Sequence, residues 1–152
     1  MRNAVALALL FAACASNSKA PVTRPEVRIA QISGVPVAAR HVTGPIPVQY
    51  AVRVTNRASE PITLKRIDVS SMADGAYTVR ASSTPFNVTI APEKHGEVDF
   101  WANAIVEQAT ISGANGPVTL RLVLFFDTPV GPFEEIVVRQ VNESAGAASG
   151  PR

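Results

Sequence analysis

The sequence predicts an all-β chain, an antiparallel β-sandwich of seven to nine strands, and three observations predict it. Val and Ile total 29 residues against seven Leu, three of which (Leu7, Leu9 and Leu10) fall in the first ten positions. Stiff β-branched side chains suit a pleated surface better than a helix. From about residue 26 to residue 142, apolar residues alternate with polar ones in short stretches, which is the period of a strand with one buried face. Turn formers drawn from 12 Pro and 9 Gly separate these stretches, as in sandwiches; a small barrel is the other way to close such strands.

The first strand runs from Val27 to Ile32, with a poorer candidate from Val37 to Val42. Val48, Tyr50, Val52 and Val54 then alternate with Gln49, Ala51, Arg53 and Thr55, a half-buried strand that ends at Asn56. Ile62 and Leu64 share one face, but Ile67 and Val69 fall on the opposite phase. One extra residue near Lys65-Arg66, a β-bulge or a bend, would return all four to one core. After the Asp74-Gly75 turn signal, Tyr77, Val79 and Ala81 form a short strand, and Phe86, Val88 and Ile90 form another, stopped by Pro92. Val98, Phe100 and Ala102 continue the series with Glu97 and Asp99 facing out. Leu120, Leu122, Leu124 and Phe126 alternate with Thr119, Arg121, Val123 and Phe125, and the last strand runs from Phe133 to about Asn142. No stretch shows a sustained period of 3.6; the best helix candidate, Ala102 to Ala109, is short.

The start of the chain reads differently. Arg2 precedes an apolar run from Ala4 to Ala13, the pattern of an export signal. It falls short of the roughly 20 apolar residues that span a bilayer. The stretch Leu10-Phe11-Ala12-Ala13-Cys14 resembles the lipobox of bacterial lipoproteins, with Phe11 where Leu is commonest. That resemblance implies loss of residues 1–13, lipidation of Cys14, and anchoring to a membrane of the cell envelope. Ala15 and Ser16 follow the cysteine, with no Asp to resemble an inner-membrane retention signal. The periplasmic face of the outer membrane is therefore the expected location in a Gram-negative host. Ordinary secretion, with cleavage after Ala15 or Ala20, is the alternative and would remove Cys14. Residues 14–25, small and polar with two prolines, are predicted to be a flexible tether, residues 26–142 the sandwich domain, and residues 143–152 a disordered tail.

Within the domain, Val52-Arg-Val-Thr-Asn56 followed by Glu60-Pro61-Ile62-Thr63-Leu64 resembles the hairpin of bacterial immunoglobulin-like domains. Ile90-Ala-Pro92 with Val98-Asp-Phe100 is similar to a loop and strand of the same domains, except that Glu93 stands in place of their usual glycine. The Cys…Trp…Cys signature of antibody domains is absent. The resemblance covers roughly residues 45–141 and implies an immunoglobulin-like sandwich used for adhesion, spacing or docking.

Composition narrows the function. With 14 Lys and Arg against 12 Asp and Glu, the net charge is +2 and no basic cluster stands out, which argues against a nucleic-acid partner. A single Cys excludes an internal disulfide framework, and two His leave little for catalytic triads. No G-x-S-x-G, H-E-x-x-H or phosphate-loop pattern occurs, so no enzyme activity and no cofactor are expected.

Two groups of residues stand out as candidate sites. His95, Glu97 and Asp99 alternate, so they project from one strand face about 7 Å apart. They are either donors for a divalent metal or the solvated side of a strand. Trp101, Val123 and Phe125 oppose the core phase of their strands. They are either an apolar contact patch for a partner or, for 123 and 125, part of a central strand covered on both sides by the Pro-rich segment 35–48 or the tether. The sequence thus points to a lipid-anchored envelope protein whose sandwich is a non-catalytic binding or structural module meeting another envelope protein. The alternative is a metal- or ligand-binding accessory protein using His95, Glu97 and Asp99.

Overall fold

The computed structural model describes residues 23–34, 44–72, 77–105 and 118–141. The expected export segment, Cys14, most of the expected tether, the candidate strand at 37–42 and the expected tail lie outside the described residues. Those residues form eight strands: β1 (Glu26–Ser33), β2 (Pro45–Thr55), β3 (Ile62–Ser71), β4 (Thr78–Val79), β5 (Ser82–Ile90), β6 (His95–Ile105), β7 (Val118–Asp127) and β8 (Phe133–Val141). Two four-stranded sheets result, ordered β1-β2-β6-β4 and β5-β3-β7-β8, and every strand pair is antiparallel. The two sheets pack against each other as a β-sandwich, with β5 and β8 at the edges of the second sheet.

The core lies between the sheets and is built by the alternation read from the sequence. Val48, Tyr50, Val52 and Val54 of β2 join Val98, Phe100, Ala102 and Ala104 of β6 in one buried layer. Ile62, Leu64, Ile67 and Val69 of β3 join Leu120, Leu122, Leu124 and Phe126 of β7 in the other. Removing a large apolar side chain from water contributes about 1.5–3 kcal/mol, so these two layers supply most of the drive to fold. The irregularity at Lys65 is present: the register of β3 shifts between Leu64 and Arg66 against both of its neighbours. That one residue carries Ile67 and Val69 back to the inner face.

Three elements differ from the sequence reading. The short strand read through Tyr77, Val79 and Ala81 is reduced to Thr78–Val79. The helix candidate that starts at Ala102 is strand as far as Ile105, where the described segment ends. Ala102 and Ala104 are buried opposite Val48 and Ile46, so they continue the period of two begun by Val98, and their helix propensity yields to that packing. Strand β5 begins at Ser82, ahead of the apolar residues that announce it. Its polar first half pairs at the edge of the second sheet, where Pro85 is tolerated.

Two buried polar devices fix the ends of the sandwich. Asn56, fully buried, donates from Nδ2 to the carbonyls of Glu60 and Ile90 at 2.8 and 3.1 Å and accepts from the Ala58 amide at 2.9 Å. Its own amide donates to the Lys94 carbonyl at 2.9 Å, so one side chain ties the β2–β3 loop to the β5–β6 turn. In that turn the Lys94 amide bonds the Ala91 carbonyl at 3.1 Å, and Glu93 holds a left-handed backbone with φ of 57°. Pro92 before a left-handed residue is the pattern of a type II turn. Glu93 therefore holds a conformation that favours glycine.

Toward the opposite end, the Tyr77 hydroxyl donates to Gln31 Oε1 and lies 2.9 Å from the Tyr50 hydroxyl, all three groups being buried. Burial, reinforced by the Tyr77 bond, pushes the Tyr50 phenol well above its ordinary value.

Candidate functional site

The outward face of the β1-β2-β6-β4 sheet carries most of the residues singled out from sequence. Strand register sets them in cross-strand rows. Glu26, Thr55 and His95 form one; Arg28, Arg53 and Glu97 the next; then Ala30, Ala51 and Asp99; and Trp101 stands opposite Gln49.

The row of Glu97 decides its chemistry. Arg53 directs Nε and Nη2 to a single Glu97 oxygen at 3.0 and 2.8 Å. Next to that row, Glu26 accepts from Arg57 at 2.7 Å and from Arg28 at 2.8 Å. These bonds, Arg57 first, hold the Glu26 carboxyl below the usual range, and the same contact raises the Arg57 guanidinium. Carboxylates engaged by guanidinium groups are neutralised in place and are poor recruits for a metal.

His95, Glu97 and Asp99 accordingly do not assemble as a metal site. They stay on one flat strand facing Thr55, Arg53 and Ala51, and no group of three His, Cys, Asp or Glu that could hold an ion exists among the described residues. The solvated strand face is the reading that the geometry supports. Convergence of ligands needs a second element folded over the strand, and the facing β2 residue is a cation instead.

Trp101 is 55% exposed. The row beside it ends in Ala30 and Ala51, whose methyl groups leave the indole standing above the sheet, and Ile32 on the same side is 42% exposed. This is a modest apolar shelf with an aromatic anchor, bordered by Gln49 and Asp99.

Val123 and Phe125 do not belong to that shelf. They lie on β7 in the other sheet, on the opposite outer side of the sandwich, and they are not open. Val123 is 8% exposed, seated between Asp68 of β3 and Ile136 of β8. Phe125 is half-buried under Arg66, whose guanidinium carbon sits 3.8 Å from the ring centroid. The covering is thus supplied by neighbouring strands of the same sheet, and a three-residue contact patch is not what the fold builds. Sequence reading gave no warning of the Arg66 contact, because the bulge places Arg66 opposite Phe125.

One shallow groove lies at the β7–β8 end of the second sheet, lined by Lys65, Phe125, Phe126, Asp127, Pro132, Phe133 and Glu134. The Phe126 and Phe133 rings stack there at 5.0 Å. Its polar groups are a lysine and two carboxylates at the rim, without a His, Cys or hydroxyl nucleophile.

No family model and no curated protein matches this chain. Among solved structures, the chain is similar to a protein from Archaeoglobus fulgidus at 10% identity, covering 76% of this chain and 91% of that one with a TM-score of 0.49. It is also similar to a putative ApaA protein from Bordetella pertussis at 16% identity, with coverage of 82% and 99% and a TM-score of 0.48. A FixG-related protein from Vibrio parahaemolyticus matches at 12% identity, with coverage of 81% and 99% and a TM-score of 0.42. Likenesses at this level say nothing of function.

Proposed function

We propose that this protein is a lipid-anchored, non-catalytic binding module of the cell envelope. The observation that carries the reading is the run Leu10-Phe11-Ala12-Ala13-Cys14 behind a short apolar segment and ahead of a polar, proline-bearing stretch. A processed Cys14 bearing several acyl chains exceeds the two-signal threshold for stable anchoring, since each buried CH₂ contributes about 0.8 kcal/mol. The eleven residues from Ala15 to Pro25 reach at most about 36 Å, enough to present the sandwich beyond the headgroups. Support for binding comes from the exposed Trp101 on a rigid sheet. Trp and Tyr anchors are the residue types that dominate protein contacts.

The test is the mass of the mature amino terminus after expression in a Gram-negative host. A chain beginning at acylated Cys14 is expected, with the lipid mass and membrane fractionation lost in Cys14→Ser. An unmodified start at Ser16 or Pro21 overturns the anchor. In the native host, Trp101→Glu is expected to lose crosslinks to the envelope partner while the domain keeps its melting temperature. Unchanged crosslinking would remove Trp101 from the contact.

A further inference from the structure

We infer that strand β8 is a homodimerisation edge, pairing antiparallel with β8 of a second copy about a two-fold axis through Val137. Strand β8 closes one end of its sheet and has β7 as its only sheet neighbour, so one side of its backbone has no ladder partner among the described residues. Its sequence, Phe133-Glu-Glu-Ile-Val-Val-Arg-Gln-Val141, is complementary to its own reverse.

About a centre at Val137, Glu135 falls opposite Arg139 of the second copy, and Arg139 opposite its Glu135. Glu134 meets Gln140, Ile136 meets Val138, and Phe133 meets Val141. The register of β8 on β7 sets which residues share a side. Glu135, Val137 and Arg139 stand on the core phase opposite Leu124, Leu122 and Leu120, while Ile136 and Val138 lie on the outer phase opposite Val123 and Arg121. A perpendicular two-fold axis keeps each phase on its own side. The charged pairs therefore meet on the inner side and the aliphatic pairs on the outer.

The solvent exposure of these residues fits that pairing. Ile136 and Val138 are 49% and 43% exposed, among the few exposed large apolar side chains of the described residues. In the paired sheet they would extend the apolar strip begun by Val123. Glu135 is an inward-pointing carboxylate with a side chain only 12% exposed, and its ion pair, to the largely exposed Arg24, is long at 3.8 Å. Arg139 donates only to the adjacent carbonyl of Val138 at 3.0 Å among the bonds described. An inward charge on an edge strand ordinarily deters strand addition. Here the two-fold register supplies that charge with its counter-ion, so the edge rejects a generic strand and accepts a copy of itself.

The inference does not depend on the anchor. Sedimentation equilibrium of the purified full-length chain, in mild detergent so that an anchor cannot cluster copies, is expected to show a monomer–dimer equilibrium. Arg139→Glu and Glu135→Arg each set like charges opposite one another twice, and each is expected to raise the dissociation constant at least tenfold. An equimolar mixture of the two variants restores both opposite-charge pairs and is expected to dimerise as the wild type does. Circular dichroism melts establish that each variant is folded; should Glu135→Arg fail to fold, the exposed Arg139→Glu still decides the matter. A wild type that stays monomeric up to about 1 mM, a dimer indifferent to Arg139→Glu, or folded variants whose mixture remains monomeric would overturn the inference.

Discussion

The two outer faces of the sandwich begin from the same sequence pattern and end in opposite conditions. One central strand of each sheet carries an aromatic residue off the core phase, Trp101 on β6 and Phe125 on β7. Trp101 faces Gln49 and stands beside a row of two alanines, and it is exposed. Phe125 faces Arg66 and Glu134 and lies beside Val123, and it is half-buried beneath a guanidinium. Phe125 is paired on both sides, by β3 and β8, whereas Trp101 is paired only by β2, because β4 reaches no further along β6 than Ala104 and Ile105. On the β3 side a long cation also lays its plane over the Phe125 ring.

Charge placement breaks the comparison most sharply. Val123→Asp puts an unpaired carboxylate in a covered site directly opposite Asp68, and it is expected to destabilise the domain by about 3 kcal/mol or more. Trp101→Asp is expected to cost less than about 0.5 kcal/mol. Urea unfolding of the two variants checks this, and equal losses would mean that the faces are alike.

Truncation is the next largest effect. Phe125→Ala is expected to cost about 2 kcal/mol, since a partly buried ring loses part of the 3–5 kcal/mol seen for buried aromatics, whereas Trp101→Ala changes the midpoint little. Removing the cover, by Arg66→Ala, is expected to cost about 1 kcal/mol or more, through the lost cation–π contact and the lost 3.1 Å ion pair to Asp68. In a double-mutant cycle, only the cation–π part disappears when Phe125 is already Ala.

The smallest effect is electrostatic and belongs to the first face. Glu26 is held below 4.5 by Arg57 and Arg28. A carboxyl depressed by folding stabilises fully above its unfolded value and loses that contribution as pH falls through the folded value. The wild type should therefore lose stability more steeply than Glu26→Gln below pH 4.5, and the difference should shrink at high salt. Parallel profiles would show that the Arg57 and Arg28 contacts do not act in solution.

Much of this architecture is legible in the sequence. The period of two located the buried faces of β2, β3, β6 and β7, and the phase break at Lys65 announced the bulge. Asn56 was legible only as part of a recurring motif; its reason, bonds to Glu60, Ile90 and the Ala58 amide, is long-range. The first half of β5 was not legible because an edge strand needs no apolar face. The end of β6 was misread because alanine favours helices locally, whereas small side chains also fit a tight inter-sheet contact. The metal reading of His95, Glu97 and Asp99 rested on one strand's spacing, and spacing within a strand says nothing about what the adjacent strand presents.

Local chemistry along the chain determined the class of fold, the positions of most strands and the bulge. These follow from side-chain alternation, β-branching and turn formers, which act over a few residues. Tertiary structure decided the partner of each outward side chain: Arg53 for Glu97, Arg66 for Phe125, and Gln49 for Trp101. Register is a property of two strands together, and a shift of one residue exchanges one face for the other. Only the folded pairing therefore determines which aromatic residue is covered and which is left exposed.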